Sequence, residues 1–100
     1  MVSVYRFRVA RVEHVCELCG GPIRAGEPYF VVDHYDLFGF RSRFKAHIGC
    51  VDQRVAEKML SHGVSKIVVD YSVHLPRDYY RHPLSPARKA ILEAYVRGEK

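Results

Sequence analysis

Two short stretches carry the residues that decide the fold: Cys16-Glu17-Leu18-Cys19 and His47-Ile48-Gly49-Cys50. Each stretch places two potential ligands three positions apart on one short turn, and together they form the pattern C-x2-C-x27-H-x2-C. Tetrahedral zinc sites are commonly built from two such pairs of sulfur and nitrogen donors. We therefore predict a zinc ion held by Cys16, Cys19, His47 and Cys50.

The competing interpretation is a redox pair of Cys16 and Cys19 with Cys50 in the core, but it leaves His47 without a role. His14 lies two residues before the first cysteine and is an alternative ligand. We expect it instead to be a surface residue or a neighbour of the ligands. Four protein ligands leave no open coordination position, so the predicted zinc is structural, and its removal should unfold at least residues 14–60.

The segments around the first cysteine pair favour β-structure. Residues 2–12 mix β-branched and aromatic residues with arginines, which predicts a strand with a basic exposed side. Gly20 and Gly21 allow the tight turn that a metal knuckle needs. After this turn, residues 29–32 and 38–45 are predicted to form an antiparallel hairpin.

The second strand of this hairpin has two contrasting faces. Side chains of a strand alternate between faces with a period of two, so one predicted face is apolar and the other cationic. We expect the apolar face to pack, and we place Phe40 in the core rather than in a binding surface. The apolar face comprises Phe38, Phe40 and Phe44, and the other Gly39, Arg41, Arg43 and Lys45.

From His47 onward the apolar period changes to that of a helix, which Gly63 should end. Residues 67–73 alternate as a half-buried strand that should join the N-terminal strand in one sheet. Residues 76–83 are predicted to be a loop, and Ser85 and Pro86 to begin a final helix. The predicted stripe of the first helix is Ile48, Val51, Val55, Met59 and Leu60, and that of the second is Leu84, Ala87, Ile91 and Tyr95.

A chain of 100 residues is expected to form a single α+β domain, with a finger at 14–62 and flanking elements at 1–13 and 64–100. The sequence offers neither an 18-residue apolar run nor a secretory signal, so we expect an intracellular protein without a membrane partner. It contains no Asn, no Thr and a single Gln. This bias against thermolabile amides is typical of proteins from hyperthermophiles.

The charge balance favours a polyanionic partner. Sixteen Lys and Arg residues against eleven Asp and Glu residues give a formal net charge of +5. Zinc with three thiolates would leave the chain positive, so nucleic acid is the expected partner, rather than a small-molecule substrate.

The order of knuckle, hairpin and helix resembles a treble-clef zinc finger. Cys16-x2-Cys19, Ile23-x2-Gly26-Glu27 and His47-x2-Cys50 narrow the resemblance to the finger known from poly(ADP-ribose) polymerase and DNA ligase III. In its small size and composition the chain is similar in type to zinc-finger proteins of hyperthermophilic archaea and their viruses.

The resemblance implies recognition of DNA by shape, with little sequence specificity. Basic residues of such fingers grip phosphates, and apolar residues at the hairpin turn stack on exposed bases. On this sequence, Arg41, Arg43 and Lys45 match the first role, and Leu37 and Phe38 match the second. Solvated charges and plain core packing are the alternatives for these two groups.

Enzymatic activity is not expected. The sequence has no nucleophile elbow, phosphate loop or H-E-x-x-H motif, and a His-Asn-His nuclease would need an Asn and a second helical histidine. The alternative to DNA binding is a protein-interaction adaptor. In that case the loop with Tyr79 and Tyr80, or the terminal helix, would contact the partner.

Overall fold

The computed structural model describes residues 2–36, 38–51, 53–69 and 82–97. The described part is a small α+β fold with an antiparallel sheet and two α-helices, in agreement with the predicted class. Its strands are β1 (Val2–Val9), β2 (His14–Val15), β3 (Pro22–Ile23), β4 (Pro28–Asp36), β5 (Gly39–His47) and β6 (Lys66–Val69). Its helices are a short 3-10 helix (Ile48–Cys50), α1 (Gln53–His62) and α2 (Pro86–Val96).

The main sheet has the strand order β5-β4-β1-β6, and each neighbouring pair is antiparallel. The predicted hairpin is therefore confirmed as β4–β5. The predicted pairing of the N-terminal strand with a later strand is also confirmed, because Tyr5 of β1 lies opposite Ile67 of β6. Residues 70–73 of that predicted strand lie outside the described residues.

One face of this sheet carries the hydrophobic core. Phe7, Phe30 and Val32 are at most 2% exposed, and they pack with Met59 of α1 and Leu92 of α2 in one cluster. This cluster joins the finger segment to both flanking segments. The burial of large side chains from both the sheet and the helices is the main favourable free-energy contribution to such a fold.

Helix α1 follows the predicted stripe, since Val55 and Met59 are buried and Val51 and Leu60 pack beside them. It begins at Gln53, later than predicted, because residues 48–50 form the 3-10 helix instead. Gly63 ends it with a φ of 66°, a backbone conformation that glycine adopts without steric cost.

Helix α2 begins as predicted, and Leu84, Ile91 and Tyr95 of its predicted stripe pack in the core cluster. The Ser85 side chain accepts a hydrogen bond from the Arg88 backbone N–H, and Pro86 occupies the first turn. Leu92 is fully buried, whereas Ala87, which was predicted to face the core, is exposed. The predicted stripe is therefore confirmed except at Ala87, and Leu92 is an additional buried residue.

A β-bulge in the hairpin changes the predicted faces of β5. Asp33 lies opposite Arg43 and Tyr35 lies opposite Phe40, which leaves Arg41 without a cross-strand partner. Phe40 therefore lies on the same face as Arg43, and Phe40 is 56% exposed. The prediction that Phe40 packs in the core beside Phe44 was wrong, because a bulge inserts one residue and shifts the alternation.

Among the described residues, no helix is long and apolar enough to cross a membrane.

Candidate metal centre and hairpin surface

The first pair of cysteines lies in a loop closed by the small β2–β3 ladder. The Cys16 N–H donates to the Gly21 carbonyl (2.8 Å), and the Gly20 N–H donates to the Cys16 carbonyl (2.7 Å). Gly20 has a φ of 78°, which allows the chain to reverse within four residues. This turn brings both thiols to one side of the loop, as the sequence predicted.

The second ligand pair lies where β5 ends and the 3-10 helix follows. Two hydrogen bonds fix this end of β5 against the cysteine loop. The Glu17 N–H donates to the Lys45 carbonyl (2.9 Å), and the Lys45 N–H donates to the Glu17 carboxylate (2.7 Å). These two contacts place the two half-sites side by side.

The four predicted ligands converge in one place. Their ligand atoms all lie within 4.8 Å of one another, so the group can hold a metal ion. The His47 Nδ1 atom lies 3.3 Å from the Cys19 Sγ atom and 3.8 Å from the Cys50 Sγ atom. Cys16 is fully buried, whereas Cys19 and Cys50 are exposed. We call these four residues, Cys16, Cys19, His47 and Cys50, the Cys/His cluster.

Hydrogen bonds outside the cluster orient its imidazole. The Nε2 atom of His47 lies 2.8 Å from the carbonyl oxygen of Pro22, an acceptor only, so Nε2 carries the proton and donates. In the neutral imidazole, the Nδ1 atom then carries a free lone pair. This atom is directed at the cysteine sulfurs and can bind a metal ion. Histidines that bind metals in proteins are usually oriented in this way by their second nitrogen.

The thiols differ in acidity because of their surroundings. Burial acts to raise the pKa of Cys16, but hydrogen bonds from three backbone N–H groups, foremost that of His47, lower this pKa to about 6. For Cys50, burial and then the neighbouring Cys16 and Cys19 raise the pKa to about 11. Three adjacent thiolates repel one another, and a bound cation removes this obstacle.

His14 does not belong to the cluster. Its Nδ1 atom lies 3.2 Å from the Lys45 Nζ atom, and its ring lies 5.3 Å from the ring of Tyr29. The prediction that His14 is a neighbouring or surface residue agrees with this position.

The tip of the hairpin exposes two aromatic rings. Phe38 is 88% exposed, and Phe40 is 56% exposed with its ring edge-on to Tyr35. The Cζ atom of Arg41 lies 5.9 Å from the centre of the Phe38 ring, within the range of a cation–π contact. Core packing, the alternative considered for Phe38, is excluded by this exposure. Leu37 lies outside the described residues.

The predicted cationic residues of β5 have partners within the fold. Arg41 forms an ion pair with Asp36, and Arg43 binds Asp33 through two hydrogen bonds of 2.6 and 3.1 Å. Lys45 contacts His14. Carboxylates thus compensate two of these three cations within the fold. All three side chains nevertheless lie at least partly in solvent.

Asp33 is the residue that the sequence analysis missed. Its side chain is fully buried on the sheet and also accepts a hydrogen bond from Arg6 (2.8 Å). The hydrogen bond from Arg43 lowers the pKa of Asp33 below its ordinary value, burial opposes this, and the charges of Arg43 and Arg6 add to it. An acidic residue in the apolar run of β4 was the available signal, since acidic residues are rarely buried without partners.

Comparisons of this chain with protein-family models, with curated proteins and with solved structures found no match. The candidate function therefore rests on the residues and on their geometry.

Proposed function

We propose that the Cys/His cluster binds zinc and that the chain is a non-enzymatic, treble-clef DNA-binding protein. The donor set supports zinc, because three thiolates and one imidazole form a common structural zinc site. Ligands at zinc distances of about 2.3 Å for sulfur and 2.0 Å for nitrogen are separated by roughly 3.5 to 3.8 Å. The separations of 3.3 and 3.8 Å around the His47 Nδ1 atom are close to these values.

The position of the cluster supports a structural ion. Four protein donors would complete a tetrahedral shell and leave no place for a reacting water. The ion would join the loop after β2 to the end of β5, residues 28 or more positions apart in sequence. The order of knuckle, hairpin and helix supports a treble clef, and with it the resemblance to the finger of poly(ADP-ribose) polymerase.

The observation that carries the DNA proposal is the hairpin tip, where exposed Phe38 and Phe40 stand beside the guanidinium of Arg41. Aromatic rings that stack on unpaired bases contribute roughly 1 to 3 kcal/mol per base without reading sequence. An arginine beside them can contact the adjoining phosphate. Together these groups suit DNA at which bases are exposed, such as ends, nicks and single strands.

The net charge of +5 supports the same partner. Arg41 would exchange or share its contact with Asp36 when a phosphate approaches, because the Arg41 side chain is exposed and that of Asp36 is partly exposed. Arg43 is held by Asp33 and so serves mainly to keep the hairpin rigid. The proposal therefore takes Arg41 and Lys45 as the better candidates for phosphate contacts.

The experiment titrates zinc-loaded protein with fluorescein-labelled intact duplex, nicked duplex, single-stranded DNA and double-stranded RNA. Each titration is run at about 20 and about 150 mM salt, because the release of counterions makes the affinity for nucleic acid depend on salt concentration. The expected result is stronger binding to nicked and single-stranded DNA than to intact duplex, with affinity falling as salt rises. No binding at the lower salt would overturn the proposal.

Matched variants assign the surface. Phe38→Ala and Phe40→Ala should each weaken binding of single-stranded DNA by about tenfold. Arg41→Gln should lower the slope of log affinity against log salt by roughly one unit. Val12→Ala, at a side chain that is 62% exposed and outside the hairpin, and Arg24→Gln are the controls for lost apolar surface and lost charge.

A protein partner is the second candidate, favoured by the same exposed rings, since aromatic residues and arginine are enriched at interfaces. The tyrosines of the predicted contact loop, Tyr79 and Tyr80, lie outside the described residues. An adaptor would leave the DNA titration negative. Loss of DNA binding in Arg41→Gln and in the phenylalanine variants, with binding kept in the controls, decides for DNA.

A further inference from the structure

One surface depression is lined by basic residues of β1, β6 and α2 and by His82. It has a volume of about 200 Å³, and Phe7 and Ser65 also line it. Among the described residues, no acidic side chain lines it. Its basic side chains, which we call the basic depression, are Arg6, Arg8, Lys66, His82 and Arg88.

The backbone fixes the position of these side chains. Arg6 of β1 lies directly opposite Lys66 of β6, so both project from the same face of the sheet. The Ser65 N–H donates to the His82 carbonyl (2.7 Å), which places His82 beside the start of β6. Ser85 caps α2 and accepts a hydrogen bond from the Arg88 N–H, which orients the first turn of that helix.

The charges of the basic depression are only partly compensated. Arg6 contacts Asp33, but this carboxylate is shared with Arg43. Within the described part of the chain, neither Arg8 nor Arg88 contacts a carboxylate, although Arg88 is half-buried. An anion bound here would compensate the charges of Arg8 and Arg88.

We infer that the basic depression is a binding site for a phosphate group. Arginine side chains bind phosphate oxygens through paired, charge-assisted hydrogen bonds, and here several meet in one concave place. The volume corresponds to roughly six water molecules, enough for a phosphate or a diphosphate group. The phosphate comes either from a free anion or from the terminus of a nucleic acid. The inference does not depend on the hairpin tip.

The test uses isothermal titration calorimetry of the zinc-loaded full chain with sodium pyrophosphate, and with a short oligonucleotide that carries either a 5′-phosphate or a 5′-hydroxyl. The double variant Arg8→Gln/Arg88→Gln should lose about tenfold or more in affinity for the ligand that binds. The control Arg24→Gln/Lys89→Gln removes the same charge from exposed positions outside the depression and should change affinity less than twofold.

Binding of pyrophosphate that the double variant loses supports a free-anion site. A preference for the 5′-phosphorylated oligonucleotide that the double variant loses supports a nucleic-acid terminus. The inference is overturned if wild-type protein shows neither, or if the control loses affinity equally. Phe38→Ala separates this site from the proposed hairpin contact, because it should leave pyrophosphate binding unchanged. Thermal unfolding checks that the variants are folded. If the double variant does not fold, the single variant Arg8→Gln, at an exposed side chain, replaces it in the titration.

Discussion

The two ends of the β4–β5 hairpin differ in whether their side chains have partners within the chain. At the end of β5 near the helices, His47 lies within 3.3 to 3.8 Å of two cysteine sulfurs, and its other nitrogen donates to a carbonyl. At the tip, Phe38 and Phe40 project into solvent. The polar groups of the first end have partners within the chain, whereas the second end leaves two aromatic side chains exposed to solvent. On the proposed function, the contrast predicts that loss of the cluster affects stability, whereas loss of the exposed rings affects binding.

Asp33 lies between these two ends and joins them. It binds Arg43 of the neighbouring strand and Arg6 of β1, so that three strands are linked through one buried carboxylate. This arrangement links the middle of the hairpin to the N-terminal strand.

The largest effect is expected from breaking the cluster end. Chelation of the metal, or Cys16→Ser, should unfold the finger, because structural zinc contributes on the order of 10 kcal/mol to folding of small domains. Circular dichroism and size-exclusion chromatography should show loss of compact structure. Val15→Ser, an adjacent change at a side chain that is 60% exposed, is the control. A chelated protein that keeps its native spectrum would contradict the assignment of stability to this end.

A smaller effect is expected in the middle of the hairpin. Asp33→Asn should lower the free energy of unfolding by roughly 2 kcal/mol, since it removes charge-assisted hydrogen bonds to two arginines that are partly screened by solvent. Urea unfolding of the metal-loaded proteins at pH 7 measures it. Asp36→Asn, whose ion pair is exposed, should cost less than half as much.

The pH dependence of this difference follows from the pKa of Asp33. Because the fold lowers this pKa, the stabilisation is present above the unfolded value of about 4 and is lost only as the pH falls through the lower folded value. The stability gap between wild type and Asp33→Asn should therefore stay constant from about pH 5 to pH 8. A gap that closes within this range would show that Asp33 is not the ionised partner of the arginines.

The smallest effect on stability is expected at the tip. Phe38→Ala should change the free energy of unfolding by less than about 0.5 kcal/mol, because the side chain is already exposed. Phe30→Ala, at a fully buried ring, should cost roughly 3 to 5 kcal/mol in the same urea experiment. Equal costs for the two substitutions would remove the distinction between a structural and a recognition end.

The cluster could be predicted from the sequence because its information is local. Each pair of ligands lies within four residues, and such spacing restricts the two donors to one turn whatever the rest of the chain does. The same holds for Gly63 and Ser85, which end one helix and begin another through backbone chemistry of their own. Strong alternation likewise sufficed to predict that β6 joins β1.

The hairpin surface could not be predicted in the same way. The bulge at Arg41 reverses the alternation of side chains between the two faces of β5. No residue type in β5 predicts this bulge. The ion pairs of Asp33 depend on cross-strand register, which a period of two does not fix. Helix α2 shows the same limit. The sequence pattern predicted that Ala87 is buried, whereas Leu92 is the residue that packs in the core cluster with α1.

The central claim is that all four residues of the Cys/His cluster bind one zinc ion and hold the finger together. X-ray absorption at the zinc K-edge of the zinc-loaded protein tests it most directly. The account predicts three sulfur ligands at about 2.3 Å and one nitrogen at about 2.0 Å, with one sulfur lost in Cys50→Ser. A shell with two or fewer sulfurs, or one filled by oxygen ligands, would contradict it.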